Sequence, residues 1–291
     1  MGKIFDNVVI LKHSEILQTS ELQFGFKEGH STSQCTFVLN EVTEYYRQGN
    51  SPVFVTLLDA SRAFDRVNYV KLFGLLRSRG FCPATALLLI SMYIDQKMVV
   101  NWNNVNSEPF SCTNGVKQGG VLSPILFCIY MDELICRMKA HKVGCFIGHK
   151  FAGIMTYADD TTLMAPTYSG LMTMLGVCEK FAREYDVTYN SSKSLVLLLN
   201  ERNVNLMKPI VKLNGEPIEY CDVALHLGTF IGNGSNKANI QKARRDLLIR
   251  CNSIASTFRR CSSDVLSTLF RSYCTSFYGS PLWMISEEKL K

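Results

Sequence analysis

The sequence predicts an α+β fold, and three observations support this fold class. Residues 52–58 form a short apolar run rich in β-branched side chains, which is typical of a buried strand. Two further apolar runs flank residues 158–160, the pattern of a β-hairpin. Residues 239–278 have helical apolar spacing throughout and carry many basic side chains. Helical patterns also lie between the strands, so the chain mixes both element types before a helical end.

The predicted elements follow in order along the first half of the chain. A helix at 33–47 precedes the strand at 52–58, which ends at Asp59. Helices follow at about 69–79 and 83–96, and then two strands at 98–102 and 109–113, joined by an Asn-rich turn. The next helix is predicted to begin near Ser123, which can cap it, and to run to about His141.

The second half of the chain alternates in the same way. Strands are predicted at 144–147, 153–157 and 161–164, followed by a helix at 169–185. Further strands are predicted at 195–199 and 211–213, with a glycine-punctuated strand at 227–232. The segment before the first of these, around Lys193, is predicted to be a polar turn.

Composition sets limits on the class of protein. With 291 residues and 47% hydrophobic content, the chain can bury the core of one large domain or of two to three subdomains. The net charge of +6 is a mild basic excess, which suits a nucleic-acid-binding surface but is shared by many other proteins. The eleven cysteines have no CxxC or paired Cys/His spacing, so we expect reduced thiols.

Neither a secretory signal nor a membrane helix is expected. Acidic Asp6 and Glu15 interrupt the apolar runs at the start of the chain. The longest apolar stretch, at 124–131, is far shorter than the roughly 20 residues that a membrane-spanning helix needs. We therefore expect a protein of the cytoplasm, the nucleus or both, without a membrane partner.

Three acidic residues are the first candidates for chemistry. Asp59 ends a buried strand, while Asp159 and Asp160 lie at the predicted hairpin tip, and a single sheet could bring them together. Carboxylates that close repel one another unless a divalent cation such as Mg²⁺ or Mn²⁺ neutralises them. Two such ions about 4 Å apart would suit phosphoryl transfer. On the residues alone, a polar hairpin turn for Asp159 and Asp160 and a helix N-cap for Asp59 are the favoured interpretations.

Several motifs occur in a recognisable order. They are FVTLLDASRAFDRV (54–67), GVKQGGVLSPILF (115–127) and YADD (157–160), preceded by QFGFKEGHST (23–32) and followed by LGTFIG (227–232) and LFRSYCTSFYGSPLW (269–283). Over nearly its whole length, the chain resembles the reverse transcriptases of non-LTR (LINE-type) retrotransposons.

The resemblance implies a right-hand polymerase fold and a reaction. It implies partial fingers at 1–52, a palm at 53–235 with a fingers insertion at about 68–114, and a helical thumb segment at 236–291. The implied activity is RNA-directed DNA polymerisation, in which dNTPs are added to a primer 3′-OH by two-metal-ion phosphoryl transfer. The implied cofactor is Mg²⁺, for which Mn²⁺ can substitute, and the implied partners are an RNA template, a DNA primer and dNTPs.

The resemblance also assigns roles to residues. Asp59, Asp159, Asp160 and the Ala60 carbonyl match the metal ligands, and Lys193 matches a lysine that stabilises or protonates departing pyrophosphate.

Other positions match contacts to nucleotide and primer. Phe64 matches the steric gate under the sugar, Gln118 and Gly119 line the nucleotide site, Lys27 holds the triphosphate, and Tyr157 contacts the primer end. Each role has an ordinary structural alternative. Phe64 could be a core residue, Gln118 and Gly119 could belong to a plain loop-to-helix junction, Lys193 could be a solvated lysine in a polar turn, and Tyr157 could simply close a strand.

Two hypotheses of different class remain at this point. In one, the chain is a working polymerase. In the other, it is a truncated, inactive element that only binds nucleic acid, because the family's upstream fingers motifs and endonuclease domain have no counterpart in these residues. An RNA-dependent RNA polymerase is a third interpretation, against which Phe64 and the thumb-like segment argue.

Overall fold

The structure is a computed structural model that describes residues 2–94, 96–117, 119–200, 208–275 and 280. Its helices are α1 (Gly2–Lys12), α2 (Thr32–Gln48), α3 (Tyr69–Ser78), α4 (Pro83–Ile94), α5 (Ser123–His141), α6 (Tyr168–Glu184), α7 (Ser235–Thr257) and α8 (Ser263–Cys274), with a 3₁₀ turn at Phe64–Arg66. No helix of the described part is both long enough and apolar enough to cross a membrane.

The strands are short apart from β1, β9 and β10. They are β1 (Val53–Ala60), β2 (Lys97–Met98), β3 (Asn101–Trp102), β4 (Val105–Asn106), β5 (Phe110–Ser111), β6 (Phe146–Ile147), β7 (Lys150–Phe151), β8 (Ile154–Tyr157), β9 (Asp160–Ala165), β10 (Tyr189–Leu199), β11 (Lys212–Leu213), β12 (Glu216–Pro217), β13 (Glu219–Tyr220), β14 (Val223–His226) and β15 (Thr229–Gly232).

A five-stranded sheet in the order β13-β10-β1-β9-β8 forms the centre of the fold. Strand β1 lies in the middle and runs antiparallel to both β9 and β10. Residues 53–58 are all buried, because both faces of the sheet are covered. Buried residues of α5 and α6 pack in one hydrophobic cluster. Those of α2 and of the β14–β15 hairpin pack in a second. This double cover explains why β1 is a continuous apolar run.

Several sequence predictions are confirmed by the structure. Helix α5 has the predicted start and end, and α2, α3, α4 and α6 lie within two residues of their predicted bounds. Strands β8 and β9 form the predicted hairpin around residues 158–159. The predicted strand pair at 98–102 and 109–113 is divided into two short ladders, β2 with β5 and β3 with β4.

Some predicted element boundaries are wrong, and one helix was missed. Leu227 and Gly228, assigned to a strand, have φ values of 47° and 81° and form the turn between β14 and β15. The helical segment after 239 is interrupted between α7 and α8, and its last residues, 276–278, lie outside the described part. Helix α1 was not predicted.

The start of α5 is capped from outside the helix. Its N-cap residue is Leu122, not the predicted Ser123, and an apolar side chain cannot accept a hydrogen bond. Asp6 of α1 supplies the acceptor instead, because its Oδ2 receives the backbone N–H groups of Val121 at 3.0 Å and Leu122 at 3.4 Å. A carboxylate near a helix N-terminus is stabilised by the helix dipole.

Candidate functional site

The three candidate acids meet at one edge of the central sheet. In the register of β1 and β9, Leu58 lies opposite Thr161, so Asp59 follows next to the point where β9 begins at Asp160. Tyr157 pairs with Asp160 across the hairpin, which leaves Ala158 and Asp159 in its turn. The sheet thus brings together residues that are far apart in the sequence.

Asp59 is close enough to the hairpin acids to contribute to their raised pKa values. Partial burial, and then repulsion from Asp159 and Asp59, raises the pKa of Asp160 to about 6. Burial also raises the pKa of Asp159, and repulsion from Asp59 adds to the effect. Like charges disfavour the ionised form, so bringing a cation to this edge would relieve the repulsion.

A bulge in β10 lies next to Asp59. Leu57 pairs with Leu195, but Asp59 pairs with Asn190, so residues 191–194 of β10 lie opposite the single residue Leu58 and three of them are extra. The Asp59 N–H donates to Ser194 Oγ at 3.2 Å instead of to a partner backbone. Bulges of this kind re-aim side chains beside active sites.

Lys193 lies on this bulge and is exposed. The predicted polar turn is therefore wrong, because residues 189–199 form one bulged strand. The bulge places Lys193 among the β10 residues opposite Leu58, one residue before Asp59. Ala60, the candidate backbone ligand, is the last residue of β1 and pairs with Tyr189.

The loop of the second motif packs against the turn of the first. The N–H of Val116 donates to the Phe64 carbonyl and the N–H of Gly115 to the Val67 carbonyl, both at 2.9 Å. A Cβ on Gly115, which has a φ of 88°, would lie 2.8 Å from the Asp65 carbonyl oxygen. Only glycine combines this φ with so close an approach.

The aromatic candidate of the first motif is held by other rings. Phe64 is half-buried and stacks on Phe127 with ring centroids 3.9 Å apart. Phe26 contacts it edge-on, with centroids 6.2 Å apart. Of the two candidates in the second motif, Gly119 is exposed with a φ of 79°, and Gln118 lies outside the described residues.

Lys27 belongs to the N-terminal segment, and Tyr157 ends β8, the strand against which that segment packs. The Lys27 ammonium donates to the carbonyls of Thr19 at 3.1 Å and Ser20 at 2.7 Å, and burial lowers its pKa. It thus binds backbone of its own segment, and the triphosphate role stays a prediction. Tyr157 is half-buried at the end of β8.

The donor atoms suit a hard divalent cation without forming a closed cage. In the part of the chain that the structure describes, no group of three or more His, Cys, Asp or Glu side chains is arranged to hold a metal ion. Mg²⁺ commonly binds through one or two carboxylates and keeps several waters, so a closed protein cage is not required. Asp59, Asp159 and Asp160 offer carboxylate oxygens of this type at one sheet edge.

Comparison with known proteins decides the family. The family described as reverse transcriptase (RNA-dependent DNA polymerase) matches residues 2–225. The chain belongs to this family. Asp59, Asp159, Asp160, Phe64 and the loop around Gly115 all lie within the matched region.

Curated relatives of this chain come from mobile elements. The RNA-directed DNA polymerase from mobile element jockey of Drosophila melanogaster is 24% identical over 304 residues, covering 98% of this chain and 32% of that protein. The Pol polyprotein of the retrotransposable element R2DM, also of Drosophila melanogaster, is 25% identical over 211 residues, covering 72% of this chain and 18% of that protein. The chain thus spans less than a third of the length of either relative.

Solved structures show the same fold. Telomerase from Candida albicans, bound to a fragment of telomeric RNA, aligns with 99% of this chain and 48% of its own at a TM-score of 0.51 and 13% identity. Telomerase from Candida tropicalis, also bound to such a fragment, aligns with 92% of this chain and 44% of its own at 0.53 and 11%. The predicted right-hand polymerase fold and the family resemblance are confirmed, while the domain boundaries and residue roles stay predictions.

Proposed function

We propose that this chain is the polymerase part of a non-LTR retrotransposon reverse transcriptase, which adds dNTPs to a primer 3′-OH on an RNA template. The observation that carries the proposal is the convergence of Asp59, Asp159 and Asp160 at one sheet edge, where burial and then repulsion between the carboxylates raise the pKa of the hairpin acids. The relatives named as RNA-directed DNA polymerases support the same reaction.

The acids are the proposed ligands of two Mg²⁺ ions, for which Mn²⁺ can substitute. Asp59 and Asp159 would bind directly, with Asp160 nearby and the Ala60 carbonyl as a backbone ligand. When bound, the metal ions would activate the primer 3′-OH and neutralise the negative charge on the leaving pyrophosphate. The sheet holds the carboxylates on adjacent strands, so the chain's own contribution is to fix their relative position.

The other candidates surround this edge in proposed binding roles. Phe64 would pack under the sugar and exclude a ribose 2′-OH, while Gln118 and Gly119 would line the nucleotide site. Tyr157 would contact the primer end beside the acids.

Two lysines would interact with phosphate groups. Lys193 would stabilise or protonate pyrophosphate from the bulge next to Asp59. Lys27 would hold the triphosphate once its hydrogen bonds to the Thr19 and Ser20 carbonyls are broken.

The basic helices α7 and α8 are the proposed grip on the RNA–DNA hybrid. Their basic side chains would neutralise phosphates and release counterions whatever the sequence. The residues are Lys242, Arg244, Arg245 and Arg250 of α7, Arg271 of α8, and Arg259 and Arg260 between the two helices. Because its substrates are nucleic acids and dNTPs, we expect the protein to act in the cytoplasm or the nucleus.

Primer extension tests the proposal. The purified chain is incubated with Mg²⁺ or Mn²⁺, dNTPs and a DNA primer annealed to an RNA template, beside an Asp159→Asn/Asp160→Asn variant. A Glu216→Gln/Glu219→Gln variant removes two exposed acids from β12 and β13 and serves as the control.

We expect extension by the native chain and by the control but not by the hairpin variant. A folded native chain that binds the hybrid without extending the primer would contradict the proposal and support an inactive, nucleic-acid-binding remnant. Extension by the hairpin variant would overturn the assignment of the acids.

A further inference from the structure

The side chain of Gln23 is fully buried against the hairpin that carries two of the acids. Its Oε1 accepts the backbone N–H of Ala158 at 3.0 Å and that of Gly25 at 2.9 Å. The flanking backbone pairs with β8, since the Phe24 N–H donates to the Thr156 carbonyl at 2.8 Å. The N-terminal segment is thus attached both to β8 and to the hairpin turn itself.

The orientation of the Gln23 amide follows from its donors. Two N–H groups converge on Oε1, and Nε2 has no hydrogen-bond partner among the described residues. Rotating the amide by 180° would set its NH₂ group against both backbone N–H groups, so only one orientation is possible. A buried NH₂ group without a partner destabilises the folded state. The two hydrogen bonds that Oε1 accepts offset this cost.

Ala158 needs support because its backbone is left-handed. Its φ is 57°, a conformation that L-residues other than Gly, Asn and Asp seldom adopt. Such a conformation persists only where the surroundings enforce it. Ala158 directly precedes Asp159, so its backbone conformation sets the direction in which the hairpin acids leave the strand.

Gly25 completes the contact from the other side. A Cβ on Gly25 would lie 2.4 Å from the backbone nitrogen of Ala158, so the two backbones touch. The Cys128 thiol of α5 donates to the Gly25 carbonyl at 3.4 Å and fixes this segment to the core.

We propose that Gln23 is a positioning residue, which holds Ala158 in its left-handed turn so that Asp159 and Asp160 face Asp59 in metal-binding geometry. Gln23 does not touch substrate and acts through Ala158. This inference rests on the proposed function, because the acids must bind metal for their position to matter.

Gln23→Met tests the inference, since methionine fills a similar volume but cannot accept the hydrogen bonds. Gln48→Met is the matched control, because Gln48 is exposed at the end of α2 and donates to Glu44. We expect Gln23→Met to lower kcat for primer extension by about 10- to 100-fold with an unchanged KM for dNTP. We also expect weaker Mn²⁺ binding, measured by electron paramagnetic resonance without substrate.

A second substitution distinguishes positioning from packing. Glycine adopts the left-handed conformation without help, so adding Ala158→Gly to Gln23→Met is expected to restore kcat by about tenfold. Native kcat and Mn²⁺ affinity in Gln23→Met would overturn the inference. So would a loss that Ala158→Gly does not relieve.

Hydrogen exchange separates this inference from the proposed function. We expect the amides of residues 154–165 to exchange faster in Gln23→Met than in the native chain, whether or not either extends a primer. If the native chain does not extend, the proposed function fails, but exchange and Mn²⁺ binding still decide the role of Gln23. Unchanged exchange would contradict that role. Should Gln23→Met not fold, Gln23→Asn carries the same test, because its shorter side chain cannot reach Ala158.

Discussion

The ring of Phe64 lies flat against the ring of Phe127, with centroids 3.9 Å apart and planes inclined by 15°. Phe127 is fully buried in α5, so its ring is a fixed platform. The Val116 N–H binds the Phe64 carbonyl from the loop that leads to α5. Motifs far apart in the sequence therefore jointly set where the Phe64 ring points.

Removing this ring is expected to relax the choice of sugar. In Phe64→Ala, the 2′-OH of a ribonucleotide would no longer clash, so discrimination between dCTP and CTP should fall by about 10- to 100-fold. The measurement is the ratio of kcat/KM for the two nucleotides. Phe37→Ala, which removes a half-exposed ring from α2, should keep the native ratio. An unchanged ratio in Phe64→Ala would show that Phe64 is only a packing residue.

Gly115→Ala is expected to destabilise the loop of the second motif. The new Cβ would meet the Asp65 carbonyl at 2.8 Å in addition to the strain of a φ of 88°. Gly80 has a φ of 84° but no described atom within 4 Å of such a Cβ, so Gly80→Ala measures the strain alone. We expect losses in the free energy of unfolding of about 1 kcal/mol for Gly80→Ala and about 3 kcal/mol for Gly115→Ala. Equal losses in urea denaturation would mean that the close contact with Asp65 is not formed.

His226 should make stability depend on pH. Its Nε2 lies 3.0 Å from Thr162 Oγ1, and burial lowers its pKa from 6.5 to about 4. Between these values the unfolded chain binds a proton that the folded chain does not. The free energy of unfolding therefore falls as pH drops from 6.5 towards 4, by about 3 kcal/mol, and His226 adds no pH dependence above that window.

Urea denaturation at pH 7 and pH 4.5 measures this effect. We expect His226→Gln to lose less stability between the two pH values than the native chain does. His149→Gln, at an exposed turn between β6 and β7, should behave like the native chain. A native pH dependence in His226→Gln would place the titrating group elsewhere.

Asp132 should be one of the most sensitive positions outside the candidate site. It is 4% exposed, and it accepts from Arg79 Nη2 at 2.7 Å and from the Ser20 N–H at 2.8 Å. Asp132→Ala would leave the Arg79 charge without its partner, at a cost of about 3–5 kcal/mol in thermal or urea denaturation. Glu44→Ala, which breaks the exposed pair with Arg47, should cost much less, because water screens an exposed ion pair. Similar losses in the two variants would contradict the buried character of the Asp132 pair.

The sequence predicted the features that local patterns encode. Helix α5 was predicted from a Ser-Pro start and a long apolar pattern, and β1 from a single buried run ending at Asp59. The prediction that Asp59 lies beside the hairpin acids needed only one assumption, namely that β1 and the β8–β9 hairpin belong to the same sheet.

Features that depend on distant partners could not be predicted. The Asp6 cap on α5 and the Asp132–Arg79 pair join elements whose separation in the chain carries no periodic signal. The bulge around Lys193 exists only in the register of β10 against β1. Gln23 belongs to the motif at 23–32, but its hydrogen bond to Ala158 could not be predicted, because the two residues meet only once the hairpin has folded.

The most direct test of the central claim, that Asp59 binds a catalytic metal ion, is a change of metal preference. In Asp59→Cys a thiolate replaces a hard oxygen ligand, and thiolates favour softer metals over Mg²⁺. We predict that Asp59→Cys loses primer extension with Mg²⁺ and recovers part of it with Mn²⁺ or Cd²⁺. Asp186→Cys, at an exposed acid paired with Arg66, should keep the native preference for Mg²⁺. Native extension by Asp59→Cys with Mg²⁺ would contradict the account.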